Sequence, residues 1–345
     1  MAPERSEGAM RVYYGHPELP GPQGHAEGGL VKFQALLPSW PNSPDGYGAL
    51  YVVSSRLPAN VCELYEEARA AGARVLLSQA APACPATHGE RWRELNRPLD
   101  FLLARADFVF YQSAFGRRMC DAILGPRPGP ADLLPNAVDT GRFVPAAADP
   151  APGELRVLLA GTQYREYRLR RALEAFALVR RERRDARLRV TGRLKWLPDL
   201  DASRRQAAAW CDELGIAGSV DFLGPYSQER APEIFQGAHL LLHTMALDCC
   251  PTAVIEAMAC GLPVVHGTSG GLPELVGEAG VGVPAADDFE RLQPPEAADL
   301  AAAVLTAAAR RRELGEAGRQ RAVERFDRRA WIARHRELFA QWEAA

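Results

Sequence analysis

Short apolar runs recur along the whole chain, and each is followed by a helical pattern. In the first half ALYVVSS and ARVLLS flank NVCELYEEARAAG, and DFVFYQS stands between LDFLLARAD and AFGRRMCDAIL. Strands this short and apolar are buried on both faces, and strands that alternate with helices pair in parallel under a helical cover. The series opens with MRVYYG, whose loop GHPELPGPQGHAEGGLVKF starts a helix near Gly29. It pauses at residues 144–154, VPAAADPAPGE, a Pro/Ala stretch without periodicity. It then restarts as LRVLLAG, RLRVTG, SVDFLG, HLLLHT and LPVVHG. The helix LRRALEAFALVRRERRD carries Leu169, Ala172, Leu173, Phe176 and Val179 on one face.

The expected fold class is therefore α/β, with two Rossmann-like doubly wound domains whose strand carboxyl ends face a shared cleft. Residues 1–9 are expected to be a disordered leader, 10–147 the first domain, 148–154 a linker and 155–327 the second domain. The last segment, 328–345, has a long aromatic face of Trp331, Ile332, His335, Leu338, Phe339 and Trp342. A helix that apolar must dock, and the first domain is the expected place.

Net charge is −2, so nothing global argues for nucleic acid or an anionic membrane surface. The start lacks the apolar core of a signal peptide, and no run is long enough to span a bilayer. The seven cysteines have irregular spacing and form no C-x-x-C pair, which fits reduced thiols and a cytoplasmic location. No metal site is expected.

The stretch richest in chemistry is LDCCPTAVIEAMACGLPVVHGTSGGLPELVG, residues 247–277. Pro251 suits the first helical position, and Gly261 with Pro263 stops the helix. Asp248 then stands in the loop before the helix and Glu256 in its second turn. The N–H groups of Thr252, Ala253 and Val254 point out of an end that carries partial positive charge and favours phosphate. Acids beside a diphosphate would accept hydrogen bonds from hydroxyls, as in sugars and ribose. The plain alternative is a capped, buried helix in an ordinary α/β domain.

These residues resemble a family. D-x-C-x-x-x-x-x-E-A-M-A-C-G-L-P-V-V followed by G-G-L-P-E-L-V is similar to the signature of the retaining glycosyltransferases of family four, with the GT-B fold. PNAVDTGRF at 135–143, the run RVLLAGTQYREYRLRRALEAFALVRRERRDARLRVTG and DFLGPYSQERAPEIFQGAHLLLHT resemble that family's segments in the same order. The likeness covers residues 135–285 and is looser in the first domain.

The resemblance implies a nucleotide-diphosphate sugar, UDP- or GDP-linked, as co-substrate and no tightly bound cofactor. Glu256 falls at the acid that holds the ribose, and Asp248 at the acid that contacts the donor sugar, where the family usually has glutamate. Cys250 and Pro251 join Thr252, Ala253 and Val254 in the phosphate seat, and Gly224, Pro225 and Tyr226 fall where the base is held. Thr162 and Tyr167 stand where the family has the basic pair that neutralises the diphosphate. Arg165, Arg168 and Arg193 are the candidate substitutes, with Arg168 grouped with the catalytic residues.

In the first domain, Gly28 and Gly29 would let backbone approach the donor. His88 is placed near the donor sugar, and His25 and Lys32 are the acceptor-side candidates. His243 and His266 end strands of the second domain and read as packing or as groups just behind the site. The expected function is retaining, metal-independent transfer of a sugar to a small-molecule acceptor in bacterial natural-product biosynthesis. Alternatives are transfer to a cell-surface polysaccharide or glycolipid, a catalytically weakened nucleotide-sugar-binding protein, and a GT-B epimerase. A homodimer is left open.

Overall fold

The computed structural model describes residues 10–344 apart from 22 and 25–27, and the two compact units are taken in turn. The expected leader, residues 1–9, and the acceptor-side candidate His25 lie outside the described residues.

The first unit comprises residues up to Gly21, Gly28–Pro135 and Arg328–Ala345. Its sheet is parallel, in the order β1 (Val12–Tyr13), β2 (Ala49–Val53), β3 (Arg74–Gln79), β4 (Phe108–Tyr111) and β5 (Ala131–Leu133). Side chains alternate across it. Leu50, Val52, Val75, Leu77, Val109 and Tyr111 pack with Val61, Leu64 and Ala68 of helix Val61–Ala70 and Leu99, Leu102 and Leu103 of helix Trp92–Arg105. Tyr51 and Phe110 face the other way, where the rings of Phe33 and His335 meet them. Doubly wound character survives here as one bridge: Val12 pairs in parallel with Asn42 on the side of β1 away from β2. Helix Gly29–Leu36 leads to that bridge, so it lies on the face opposite to helix Val61–Ala70.

The terminal helix Arg328–Glu343 belongs to this unit. Trp331, His335, Leu338 and Phe339 are its buried residues, and the rings of Trp40 and Phe339 stand edge to face at 5.1 Å. The His335 ring bonds Trp331 O at 2.8 Å through Nδ1 and Tyr51 Oη at 3.0 Å through Nε2. Because a carbonyl can only accept, Nδ1 carries the proton and Nε2 accepts from the phenol.

The second unit contains Asn136–Asp327. Its parallel sheet runs β11 (Gly280–Val283), β10 (Val264–Gly267), β9 (Leu240–His243), β6 (Leu155–Leu159), β7 (Ala186–Thr191) and β8 (Val220–Gly224). The order reverses between β6 and β9, which makes that point the place where an open α/β sheet leaves a crevice at its carboxyl ends. Leu169, Leu173, Phe176 and Val179 are buried as their helical spacing requires, in the core with Val157, Leu159, Leu188 and Val190.

Residues 136–147, expected from the sequence at the end of the first domain, pack within this unit. Thr140 Oγ1 donates to Asp327, Arg142 donates to the carbonyls of Gln228 and Glu229, and Val138 bridges Asp327. The segment expected to be a linker is likewise tied down. Asp149 accepts from His239 at 2.8 Å, from Ala151 N at 3.0 Å and from Arg311 at 2.7 Å, and these bonds hold its carboxyl far below the usual range. Pro/Ala composition signals an irregular segment, and side-chain partners distant in sequence decide that it packs.

Candidate functional site

The carboxyl ends of the second unit's strands release loops onto one rim. Three of them meet through glycine. Gly192, with φ +87°, lies so close to the turn after β6 that a Cβ there would stand 2.3 Å from Gly161 O and 2.7 Å from Thr162 N. Its own N–H donates to Gly224 O at 2.8 Å. Only glycine allows backbones to approach this closely at such a φ.

The loop after β9 carries Asp248. Leu247 before it has φ +57°, a costly conformation for a leucine, and is held by burial and by its N–H to Ser269 Oγ at 3.4 Å. Gly271 N donates to Asp248 O at 2.8 Å, and a Cβ on Gly270, at φ +86°, would meet that same oxygen at 2.5 Å. The Gly-Gly pair is therefore the mould against which the main chain of Asp248 is cast. Its carboxyl remains about a third exposed.

The acid-bearing helix runs Thr252–Ala259. Pro251 is its N-cap, one place earlier than its expected position, and its carbonyl accepts from Val254 N at 3.0 Å. That bond uses the Val254 N–H, so the open end consists of Thr252 and Ala253. Asn136 steadies this corner, donating through Nδ2 to Cys250 O at 2.6 Å and through its backbone N–H to Cys250 Sγ. Gly261 ends the helix at φ +72° as expected.

Glu256 lies inside the second turn, 2% exposed, and accepts from Gln228 Nε2 at 3.1 Å. Burial pushes its carboxyl up to about 7, partly offset by the Gln228 amide and by the charge of Arg142. Tyr226 faces Glu256, and its phenol is raised by burial first and by that carboxylate second.

Arg168 stands at the reversal point between β6 and β9. It is 5% exposed and its guanidinium donates to Ala160 O at 2.6 Å and Thr162 O at 3.0 Å. Its Nε has no hydrogen-bond partner among the described residues. Burial lowers its pKa while Asp248 pulls it back. Much of this arginine is thus spent on bracing the turn after β6, which leaves Arg165 and Arg193, both half-buried, as the more accessible cations. Tyr167, at one of the positions where the resembling family is basic, anchors the acid loop instead. Its phenol accepts from Ala246 N at 3.1 Å and donates to Met245 Sδ at 3.3 Å.

In the first unit, Gly28 (φ +52°) opens helix Gly29–Leu36, and Gly29 is pressed against Val53 and Ser55 at the end of β2. Lys32 is not presented at the surface: it is 8% exposed and donates to Ser78 Oγ at 2.5 Å. The helix turns its position inward beside Tyr51 and His335, and the sequence carries no signal of that hydroxyl partner. His88 is exposed at the end of the short helix Pro85–His88, with Nδ1 against Thr87 Oγ1 at 2.8 Å. Asn136 and Arg142 lie in PNAVDTGRF and Gln228 in DFLGPYSQERAPEIFQGAHLLLHT, segments the sequence singles out, but their roles as supports of Cys250 and Glu256 carry no local signal.

The family model described as glycosyl transferases group 1 matches residues 145–321, more than half of the chain and all of the strand-end loops just described in the second unit. This chain belongs to the group 1 glycosyl transferases.

Among relatives of this group 1 chain, a component of the phosphatidylinositol N-acetylglucosaminyltransferase of Arabidopsis thaliana is 24% identical over 61% of the chain and 43% of its own length. The D-inositol 3-phosphate glycosyltransferase of Mycolicibacterium smegmatis is 39% identical over 19% of the chain and 15% of its own length. The chain thus matches less than half of either relative. Two solved structures share the fold. Sucrose-phosphate synthase from Thermosynechococcus elongatus aligns with TM-score 0.71 and 22% identity over 90% of this chain and 76% of that one. The Anabaena protein HepE in complex with UDP-glucose aligns with TM-score 0.70 and 17% identity over 90% and 82%. Two parallel-sheet Rossmann-like units give this group 1 chain the GT-B fold.

Proposed function

We propose that this group 1 chain is a retaining glycosyltransferase that moves a sugar from a nucleotide-diphosphate sugar to a hydroxyl of a small-molecule acceptor. The observation that carries the reading is the pairing of two unlike acids around one helix end: Glu256 buried in the second turn, Asp248 part-exposed in the preceding loop. Glu256 accepts from the ribose, Asp248 from the donor sugar, and the N–H groups of Thr252 and Ala253 face the diphosphate. Tyr226 and Gly224 border the base. UDP is the favoured nucleotide, since the HepE structure is a complex with UDP-glucose.

Leaving-group charge is met by the helix end with Arg165 and Arg193, and the departing phosphate oxygen takes the acceptor proton in a front-face attack. Among the described residues no group of three His, Cys, Asp or Glu side chains is placed to hold a metal ion. A small acceptor rather than a lipid is favoured because helix Ala114–Leu124 carries only the neighbouring Arg117 and Arg118 as basic residues. No helix among the described residues is long and apolar enough to cross a membrane.

The test is release of nucleoside diphosphate from a panel of nucleotide sugars, with and without hydroxyl acceptors. Acceptor-dependent release that disappears in Asp248→Ala, while that variant still binds UDP, supports transfer. Conversion of donor alone to its epimer would replace this reading. A second reading, a donor-binding protein of weakened catalysis, is favoured by one observation: Tyr167 anchors a loop at a position of the basic pair. Tight donor binding with no turnover on any acceptor would select it.

A further inference from the structure

His243 ends β9 and is 3% exposed, and its Nε2 has no hydrogen-bond partner among the described residues. A buried ring nitrogen left in that state is costly, so its surroundings should show what the cost serves. Nε2 lies 3.5 Å from Asp248 Oδ2, just beyond a hydrogen bond. Neither main chain can move to close that gap: the strand of His243 is fixed in register against His266 of β10, and Gly271 N holds Asp248 by its oxygen. What remains is side-chain rotation, above all of the Asp248 carboxyl, the one part of the pair that reaches solvent.

The geometry points to His243 as the positioning residue of Asp248: when a nucleotide sugar is seated, Nε2–H donates to Oδ2 and turns the other carboxylate oxygen to the sugar hydroxyls. This inference rests on the reading of Asp248 as the donor-sugar acid. A shorter acid needs such a brace more than a longer one, since it has less reach and fewer rotamers that meet the sugar. The charged groups facing the ring are consistent with a donor that stays neutral. Burial holds its proton affinity down and Arg168 from helix Glu166–Glu182 adds to that, while Asp248 from the loop opposes them. His266 from β10 is itself kept neutral by burial, its pKa lowered to about 4. Hydrogen bonds of this kind are often long before substrate arrives and tighten afterwards.

Two variants of the full chain separate positioning from packing. His243→Phe keeps a ring and removes the donor, and His243→Gln restores an N–H near the place of Nε2. With UDP and UDP-glucose as probes, His243→Phe should leave the Kd for UDP within about twofold and lower kcat for UDP release at least tenfold. His243→Gln should recover most of that loss. Equal loss in both variants, or kcat unchanged in His243→Phe, overturns the assignment.

A second measurement needs no ligand and no turnover. Imidazole 15N spectra of the wild-type protein should show His243 as the neutral Nε2–H tautomer at pH 8, with a resonance that moves in Asp248→Asn. An Nδ1–H tautomer, or titration at the ordinary histidine pH with no response to Asp248→Asn, overturns it. If UDP fails to bind the wild type, the proposed function fails, and the spectra still decide the His243–Asp248 pairing.

Discussion

Gln228 Nε2 donates to Glu256 Oε1 at 3.1 Å, and this bond joins the turn after β8 to the second turn of the acid-bearing helix. The two segments that would hold base and ribose are thus one mechanical piece. The carboxylate nevertheless stays undersatisfied, because one amide and the more distant charge of Arg142 do not replace its hydration. A ribose that donates two hydroxyls is the kind of partner this acid lacks.

Stability should record that shortage. The folded carboxyl titrates at about 7 against an ordinary 4.5, so between those values the folded state holds a proton that the unfolded state has lost. Stability therefore falls as pH rises from about 4.5 to 7 and is level above, a loss of roughly 3 kcal/mol from this group. Denaturation of wild type and Glu256→Gln should show equal stabilities near pH 4.5 and a more stable variant at pH 8. A constant difference across that range would contradict the assignment.

The first unit should respond with the opposite sign. His335 is buried and neutral, its pKa lowered to about 3 from an ordinary 6.5. As pH falls below about 6.5 the unfolded chain gains a proton that the folded unit refuses, so stability is lost progressively toward pH 3. Replacing His335 with Leu should flatten the acid limb at the cost of the bond to Tyr51 Oη. Circular dichroism melts from pH 7 down to pH 4 would show the change.

Glycines of the two kinds should differ sharply. Gly270→Ala places a Cβ 2.5 Å from Asp248 O at φ +86°, whereas Gly224→Ala meets nothing within 4 Å at φ +74°. The second should cost about 1–2 kcal/mol from φ alone, and the first more, with the Asp248 loop displaced. A thermal melt of each variant checks this.

Tyr167→Phe removes the acceptor of Ala246 N–H and leaves that group buried without a partner. The expected cost is about 1–3 kcal/mol, with donor turnover lowered more than UDP affinity, because the Asp248 loop loses its anchor. Arg165→Ala and Arg193→Ala should instead act on the ligand, and one of them should weaken UDP about tenfold while sparing UMP. Calorimetry on the purified variants separates the two behaviours.

Much of this is legible from local pattern. Strand and helix alternation is a period signal, and the segment around Glu256 carries its own punctuation in Pro251, Gly261 and Pro263. Pro251 sits one position before its expected place, because cap and first helical residue differ by a backbone angle and not by composition. What local pattern cannot show are partners distant in sequence. Lys32 reads as an acceptor-side candidate because nothing in the sequence announces Ser78 as its hydrogen-bond partner. The stretch 148–154 reads as a linker because Asp149 does not announce Arg311. Arg168 groups with the catalytic residues in sequence, since a charge on a helix near a strand end looks the same whether it meets ligand or carbonyl oxygens.

The most direct test is calorimetric titration of wild type and Glu256→Ala with UDP, GDP, dTDP, ADP and CDP, and with UMP as a control. One diphosphate should bind with unit stoichiometry, its monophosphate more weakly, and Glu256→Ala should bind neither. No binding of any diphosphate to wild type, or unchanged affinity in Glu256→Ala, would contradict the placement of the nucleotide at this helix.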